Sequence, residues 1–192
     1  MANLITLGRT LLAFLVVAML HWRTTGVYLT AVVLTVMIIL LDALDGYVAR
    51  RRNECSRFGA LADILGDRVV EMTYWIVFAT FGWVPVWVAI AIAARGIVVD
   101  GVRGLAIERG QTAFGMMRSR LGRLLVSSRA SRAMYGTGKA FAFSLVILVF
   151  TPGIVALFGG GLRVVADAAV YATVALCLIR GTPVVVEARR LV

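Results

Sequence analysis

The chain has 192 residues, 61% of them hydrophobic, and its 20 Lys and Arg against 10 Asp and Glu leave a formal net charge of +10. Soluble globular domains contain about 45–50% apolar residues, so this composition excludes an ordinary soluble domain. The apolar excess lies in blocks long enough to cross a bilayer, which predicts an integral membrane protein with a single domain over residues 1–192.

Six mostly apolar blocks follow one another along the chain, each near the length that a spanning helix needs. They cover residues 4–20, 28–41, 60–81, 84–105, 135–150 and 164–179. Turn residues separate them, as at Gly82 and at Gly153. The second helix is expected to continue to Arg50, because no residue before it breaks a helix. The predicted fold class is therefore all-α, with six transmembrane helices and both termini on one side.

The distribution of basic residues predicts the orientation. Arg23 and Arg163 lie in the loops after helices one, three and five, Arg95 lies inside helix four, and the other 17 lie toward the opposite ends. Because Lys and Arg are retained in the cytoplasm, we expect both termini and the basic connection 106–134 there, with the protein in the plasma (inner) membrane. The first ten residues lack the features of a signal peptide, so the first hydrophobic segment is expected to remain in the protein.

Four carboxylates interrupt the apolar sequence of helices two and three. They are Asp42, Asp45, Asp63 and Asp67. An Asp near the centre of a membrane helix costs on the order of 2.5–3.5 kcal/mol, so four of them indicate a wet cavity or bound cations. Spacings of three and four residues place each pair on one face of its helix. Hard oxygen ligands with this much negative charge suit one or two Mg²⁺ or Mn²⁺ ions.

The carboxylates belong to a longer pattern of eight fixed residues. It reads Asp42-x2-Asp45-Gly46-x2-Ala49-Arg50-x8-Gly59-x3-Asp63-x3-Asp67. At every position it resembles the motif of the CDP-alcohol phosphotransferase (CDP-alcohol phosphatidyltransferase) family. The opening Asn3-Leu4-Ile5-Thr6-Leu7-Gly8-Arg9 is similar to the N-L-x-T-x-x-R start of many members. The six-helix layout, with the motif on helices two and three, also looks like that family.

The resemblance implies a reaction and a role for each motif residue. Members transfer a substituted phosphate from a CDP-linked lipid, usually CDP-diacylglycerol, to the hydroxyl of an acceptor alcohol and release CMP. The implied ligands of a paired Mg²⁺ or Mn²⁺ site are Asp42, Asp45, Asp63 and Asp67. Asp67 would also be the general base toward the acceptor hydroxyl. The implied nucleotide-binding residues are Gly46, Ala49 and Gly59 along the cytidine nucleotide and Arg50 near its phosphates.

The choice of acceptor is expected to depend on the basic half of the chain. Between Arg103 and Lys139 there are eight basic residues and one acidic residue, a net +7. One interpretation is a basic surface facing lipid headgroups, because 116–126 reads as an amphipathic interfacial helix. The other is a pocket for a phosphorylated acceptor. An unpaired guanidinium inside helix four is costly, and Arg95 and Arg103 lie on roughly the same side of that helix. The candidate acceptor-binding residues are Arg95, Arg103, Arg129, Arg132 and Lys139.

Two branches of the family supply candidate acceptors. Arg95, Arg103 and Gly138-Lys139 look similar to residues of the phosphatidylglycerophosphate synthase branch, although Gly96 stands where that branch has an acidic residue. Asp67-Arg68 looks more like the inositol-phosphate branch. Glycerol 3-phosphate is therefore the favoured acceptor, and inositol phosphate comes next. An unphosphorylated acceptor or a second lipid is the alternative within the family.

A different class also uses intramembrane aspartates, namely divalent cation channels and carriers. Such a protein would carry polar groups on several helices along a path across the bilayer, whereas helices one, five and six show almost none. The expected partners are CDP-diacylglycerol, a small polar acceptor alcohol, membrane lipids and a second copy of the chain in a homodimer, because small-residue helix faces favour association. No nucleic acid partner is expected.

Overall fold

The computed structural model of the chain describes residues 2–52, 57–108, 119, 122–158 and 160–188. Within these residues the regular structure is helical and no strand occurs, which confirms the all-α prediction. The helices in chain order are α1 (Ala2–Met19), α2 (Thr25–Arg52), α3 (Arg57–Thr80), α4 (Val86–Glu108), α5 (Arg129–Val149), α6 (Ile154–Phe158) and α7 (Gly161–Ala188). Each long helix overlaps one predicted apolar block, and α2 includes Arg50 as expected and ends two residues later, at Arg52.

Glycine ends α3 at the turn that the sequence predicts. Gly82 has a φ of 69°, in the left-handed region that side chains disfavour. The amide of Trp83 donates to the carbonyl of Phe78 at 2.8 Å, and the amide of Gly82 donates to the carbonyl of Ala79 at 3.0 Å. These two bonds form a Schellman motif. The resulting short turn leads directly into α4, which packs beside α3.

Aromatic side chains hold α3 against α5. Trp75 and Phe78 are completely buried, and their rings meet Phe143 edge-on, with centroids 5.0 and 5.7 Å apart. Tyr74 stacks on the same Phe143 ring at 4.6 Å. Each buried aromatic side chain contributes about 1.5–3 kcal/mol relative to exposure. This aromatic core begins two helical turns after Asp67, the last residue of the eight-residue motif.

Helix α1 packs against both motif-bearing helices, α2 and α3. One face of α1 is buried at intervals of three or four residues, the period of a helix. The buried residues on this face include Thr6, Arg9, Ala13 and Val16, and Leu20 continues it in the 3₁₀ turn that follows α1. The face is apolar except for Thr6 and Arg9. A charged side chain, Arg9, is therefore buried on the same face that packs against the neighbouring helices.

In the part of the chain that the structure describes, α7 is the one helix that meets both the length and the hydropathy of a membrane span. Shorter apolar helical stretches occur at Thr6–Trp22 and Thr25–Leu41. Helices α3 and α4 have charged residues inside them, including Arg68, Glu71 and Asp100. The six-span count and the side of the termini stay predictions.

The predicted basic connection 106–134 is shorter than expected, because α4 continues to Glu108 and α5 begins at Arg129. Between these helices, Arg123–Ser127 forms a π-helical turn. Ser128 then caps α5, accepting a hydrogen bond from the amide of Ser131 at 3.1 Å. Residues 116–118, 120 and 121 of the predicted interfacial helix 116–126 lie outside the described residues.

Candidate active site

The helical register that the motif requires is present in the backbone. Positions 42 and 45 lie in α2, and positions 63 and 67 lie in α3, with no break between the members of either pair. The side chains of 42–52 and 57–63 lie outside the described residues. The predictions that fall there are the metal-ligand roles of Asp42, Asp45 and Asp63 and the nucleotide-binding roles of Gly46, Ala49, Arg50 and Gly59.

Asp67 is the motif residue whose side chain the structure describes. Its Oδ1 accepts from Arg9 Nη1 of α1 at 2.8 Å. The Arg9 side chain is 3% exposed, whereas that of Asp67 is 45% exposed. The carboxylate is thus open to a ligand while its cationic partner is buried. Arg9 ends the N-terminal motif, and the sequence alone indicated no contact for it.

A cavity of about 50 Å³ lies beside Asp67, between α1, α2, α3 and α5. Such a volume holds a few water molecules. Its polar lining consists of Arg9, Thr35, Asp67, Glu71, Tyr74 and Lys139. Thr35 Oγ1 and the Tyr74 hydroxyl share a hydrogen bond of 2.9 Å in this wall. The structure therefore brings together two residues predicted for different roles, Asp67 as the base and Lys139 as an acceptor-binding residue.

Glu71, one helical turn after Asp67, is the centre of a buried polar network. Its side chain is 4% exposed, and its Oε2 accepts from Arg68 Nη1 at 2.9 Å. On the other oxygen, Oε1, the Tyr135 hydroxyl donates a hydrogen bond and Lys139 Nζ lies 3.6 Å away. A buried carboxylate is stable only with such partners. Glu71 thereby fixes the position of Lys139 in the cavity.

Asp100 of α4 extends the network toward Arg103. Arg68 binds it through two hydrogen bonds, Nε to Oδ2 at 2.9 Å and Nη2 to Oδ1 at 3.2 Å. Arg103 Nη1 lies 3.8 Å from Asp100 Oδ1. Planar two-point pairing makes Arg68 the principal partner of Asp100. Arg103 is a second, more distant cation beside the same carboxylate.

Two further arginines adjoin Arg103. The positive charges of Arg95 and Arg180 are close enough to repel the charge of Arg103. Arg180 Nη1 donates to the carbonyl of Ser131 at 2.6 Å. Arg95 lies across Gly181, where a Cβ would come within 3.0 Å of the Arg95 Cγ and Nε atoms. Glycine at 181 therefore gives this long side chain room between α4 and α7.

These residues form a region that we call the basic cluster. Its members are Arg68, Arg95, Arg103, Lys139 and Arg180, with the carboxylates of Glu71 and Asp100. Five cations against two anions leave a net +3 among these described residues. The positive charge of Arg132 repels that of Arg180 from nearby. The Arg129 side chain lies outside the described residues. A net positive cluster in a low-dielectric region favours an anionic ligand.

A protein-family model described as CDP-alcohol phosphatidyltransferase matches residues 1–179. The chain belongs to the CDP-alcohol phosphatidyltransferase family. The match includes both sequence motifs and every residue of the basic cluster except Arg180. It confirms the resemblance that the eight-residue motif indicated.

Three curated relatives of this CDP-alcohol phosphatidyltransferase family member are informative. The CDP-diacylglycerol–glycerol-3-phosphate 3-phosphatidyltransferase of Bacillus subtilis (strain 168) is 28% identical over 94 residues, 49% of each chain. The protein of the same name from Escherichia coli (strain K12) is 30% identical over 112 residues, 57% of this chain and 61% of the relative. A putative cardiolipin synthase of Mycobacterium tuberculosis (strain H37Rv) is 39% identical over 72 residues, 38% of this chain and 34% of the relative. The matched segments thus span between 34% and 61% of these relatives' lengths, less than two thirds in each case.

Proposed function

We propose that this chain transfers the phosphatidyl group of CDP-diacylglycerol to the hydroxyl of glycerol 3-phosphate and releases CMP. Family membership supports the transfer reaction, and the names of the B. subtilis and E. coli relatives support the donor and the acceptor. The observation that carries the proposal is the shared cavity of Asp67 and Lys139, which places a carboxylate beside the basic cluster. A base and a phosphate-binding group are what this acceptor requires.

In the proposed reaction, the acceptor hydroxyl oxygen forms a bond to the phosphorus of the phosphatidyl group. The bond from that phosphorus to the CMP oxygen breaks, and the hydroxyl proton moves to Asp67. Lys139 and Arg103 would hold the phosphate of the acceptor through charge-assisted hydrogen bonds. Phosphoryl transfer depends chiefly on such positioning and on charge neutralisation.

Mg²⁺ or Mn²⁺, as two ions, is the proposed cofactor. The described carboxylate of Asp67 fits this assignment, because it is a hard oxygen donor, half-exposed at a cavity. Asp42, Asp45, Asp63 and Asp67 would hold the ions. When bound, such ions neutralise a pyrophosphate and stabilise the departing phosphate.

A phospholipid acceptor is the second candidate. It is favoured by the relatives named putative cardiolipin synthase, one of which shares 39% identity over 72 residues. The basic cluster would then bind the phosphate of a lipid headgroup instead of a soluble one. Inositol phosphate and unphosphorylated alcohols complete the set of acceptors to be tested.

We also propose that the six long helices span the inner membrane, with both termini and the active site on the cytoplasmic side, and that the chain forms a homodimer. Large apolar side chains on the outer surface support the membrane assignment. Examples are Leu11, Val33, Ile97, Leu157 and Val186, each more than half exposed. Most basic residues lie away from the loops after the first, third and fifth long helices, and this distribution supports the orientation.

The test uses the purified chain in detergent with CDP-diacylglycerol, Mg²⁺ or Mn²⁺, and one acceptor at a time. The acceptor panel is glycerol 3-phosphate, inositol phosphate, glycerol, inositol and phosphatidylglycerol. CMP release and the mass of the lipid product are measured. We expect release with glycerol 3-phosphate, and loss of turnover in Asp67→Asn without loss of fold. Absence of CMP release with every acceptor would refute the proposal.

A further inference from the structure

Arg9 is a buried cation on the packing face of α1. Thr6 and Arg9 occupy the positions at which this face meets α3, and both are almost fully buried. A buried guanidinium is destabilising unless it is paired. Its ion pair with Asp67 crosses from α1 to α3 at 2.8 Å. The carboxylate proposed as the catalytic base is therefore held from a helix outside the eight-residue motif.

We infer that Arg9 is a positioning residue for Asp67. This inference rests on the proposed function, in which Asp67 accepts the proton of the acceptor hydroxyl. Burial restricts the Arg9 side chain, whereas the Asp67 side chain is half-exposed. Without the ion pair to Arg9, Asp67 could change its rotamer. A carboxylate has two acceptor oxygens. With Arg9 on one lone pair of Oδ1, the remaining lone pairs of Asp67 are oriented toward the cavity, where a metal ion and the acceptor hydroxyl would bind.

The packing of α1 on α3 next to Asp67 supports this role. A Cβ on Gly66 would lie 2.6 Å from Thr6 Cγ2 and 3.7 Å from Arg9 Nη2. The first distance is far below van der Waals contact, so a side chain at position 66 would require the Thr6 side chain or α1 to shift. Small residues at helix crossings permit such close approach in membranes. Gly66 thus sets the distance across which Arg9 contacts Asp67.

The first test compares Arg9→Gln and Arg9→Lys, with Arg163→Gln as the matched control. Arg163 also pairs with an aspartate, Asp167, at 3.3 Å, but on the exposed surface of α7. We expect Arg9→Gln to lower kcat by about 10- to 100-fold, the range for losing a charge-assisted hydrogen bond to a reacting group. KM for CDP-diacylglycerol should change by less than about threefold. Arg9→Lys should recover part of kcat, and Arg163→Gln should match the wild type.

The second test alters the separation of α1 and α3 without replacing a charged residue. Gly66→Ala should lower kcat, because its methyl group would push Thr6 and α1 away from Asp67. Adding Thr6→Ser removes the Cγ2 atom that the new methyl group meets, so the double variant should regain most of the activity. Gly8→Ala is the control on α1, since a Cβ there meets nothing within 4 Å. Thermal unfolding midpoints and Mn²⁺ binding by electron paramagnetic resonance are measured for every variant.

The outcomes separate positioning from simple packing. Positioning predicts a fall in kcat measured on protein that is still folded at the assay temperature, with Mn²⁺ binding close to that of the wild type, and recovery by Arg9→Lys and by Thr6→Ser. The inference is overturned if Arg9→Gln keeps wild-type kcat, or if the whole loss appears in Mn²⁺ binding, KM or stability. An inactive wild-type protein would instead refute the proposed function, so the two failures are distinguishable.

Discussion

The Glu71 network offers a sharp test of the architecture, because one buried carboxylate there pairs with three donors. Glu71→Gln keeps the size of the side chain and removes its charge. Lys139, at 3.6 Å, would then lose the carboxylate that it contacts, whereas Arg68, at 2.9 Å from Glu71, would keep Asp100 as its anionic partner. Breaking a buried ion pair on one side costs about 3–5 kcal/mol. Glu71→Gln raises the net charge of the basic cluster from +3 to +4, which adds to that cost.

The matched control is Asp167→Asn, which removes an exposed ion pair with Arg163. Surface pairs of this kind contribute about 0–1 kcal/mol. For a chain of this size, each 1 kcal/mol shifts Tm by about 2–4 °C, so Glu71→Gln should lower Tm by roughly 6–20 °C and the control by less than about 4 °C. Thermal unfolding of the detergent-solubilised proteins, followed by circular dichroism, measures both.

A second variant tests the electrostatic origin of the effect. Lys139→Met in the Glu71→Gln background removes the cation that Glu71→Gln deprives of its carboxylate, so it should recover part of the lost Tm. Equal Tm values for Glu71→Gln and Asp167→Asn would refute the reasoning. So would a further loss of Tm on adding Lys139→Met, since relief of the unpaired charge predicts the opposite sign.

Three further predictions concern the acceptor, the metal and the backbone. Arg103→Ala should raise KM for a phosphorylated acceptor more than KM for CDP-diacylglycerol in steady-state assays, and equal changes would argue against an acceptor role. Removal of divalent ions with EDTA should abolish CMP release, and added Mg²⁺ or Mn²⁺ should restore it; activity that survives chelation would exclude the metal proposal. Gly82→Ala should lower the unfolding free energy by about 1 kcal/mol, because its φ of 69° disfavours a side chain. Gly101→Ala, where a Cβ meets nothing within 4 Å, should not lower it.

The long helices could be predicted from the sequence because hydropathy and turn residues act locally. Gly82 and Gly153 occur where the chain turns, and both have positive φ values. The end of the last helix could not be found in this way. Pro183 and the charge of Arg180 suggest a boundary near residue 179, yet α7 continues to Ala188. A helix tolerates an internal proline when neighbouring groups stabilise it.

The candidate site could be predicted only in part, for a similar reason. The spacing of the motif aspartates indicated a site, and the resemblance supplied their roles and the candidacy of Lys139. The partners of Glu71 could not be read from the sequence, because the Tyr135 hydroxyl comes from a helix 64 residues away. Arg180 was missed because it follows an apolar run and resembled an interfacial charge. Tertiary contacts, which local patterns do not encode, decide both cases.

The position of Arg9 illustrates what the structure adds to a sequence motif. The N-terminal pattern indicated membership of the family without indicating a contact. Its arginine lies against Asp67, the last residue of the second pattern. Two motifs separated by more than thirty residues therefore meet at one carboxylate.

The most direct test of the central claim is the mass of the lipid that the purified chain makes from CDP-diacylglycerol and isotopically labelled glycerol 3-phosphate. The account predicts one labelled product, phosphatidylglycerophosphate, formed in equal amount to the released CMP and missing in Asp67→Asn. No labelled lipid with glycerol 3-phosphate, or a product formed only when phosphatidylglycerol is the acceptor, would contradict it.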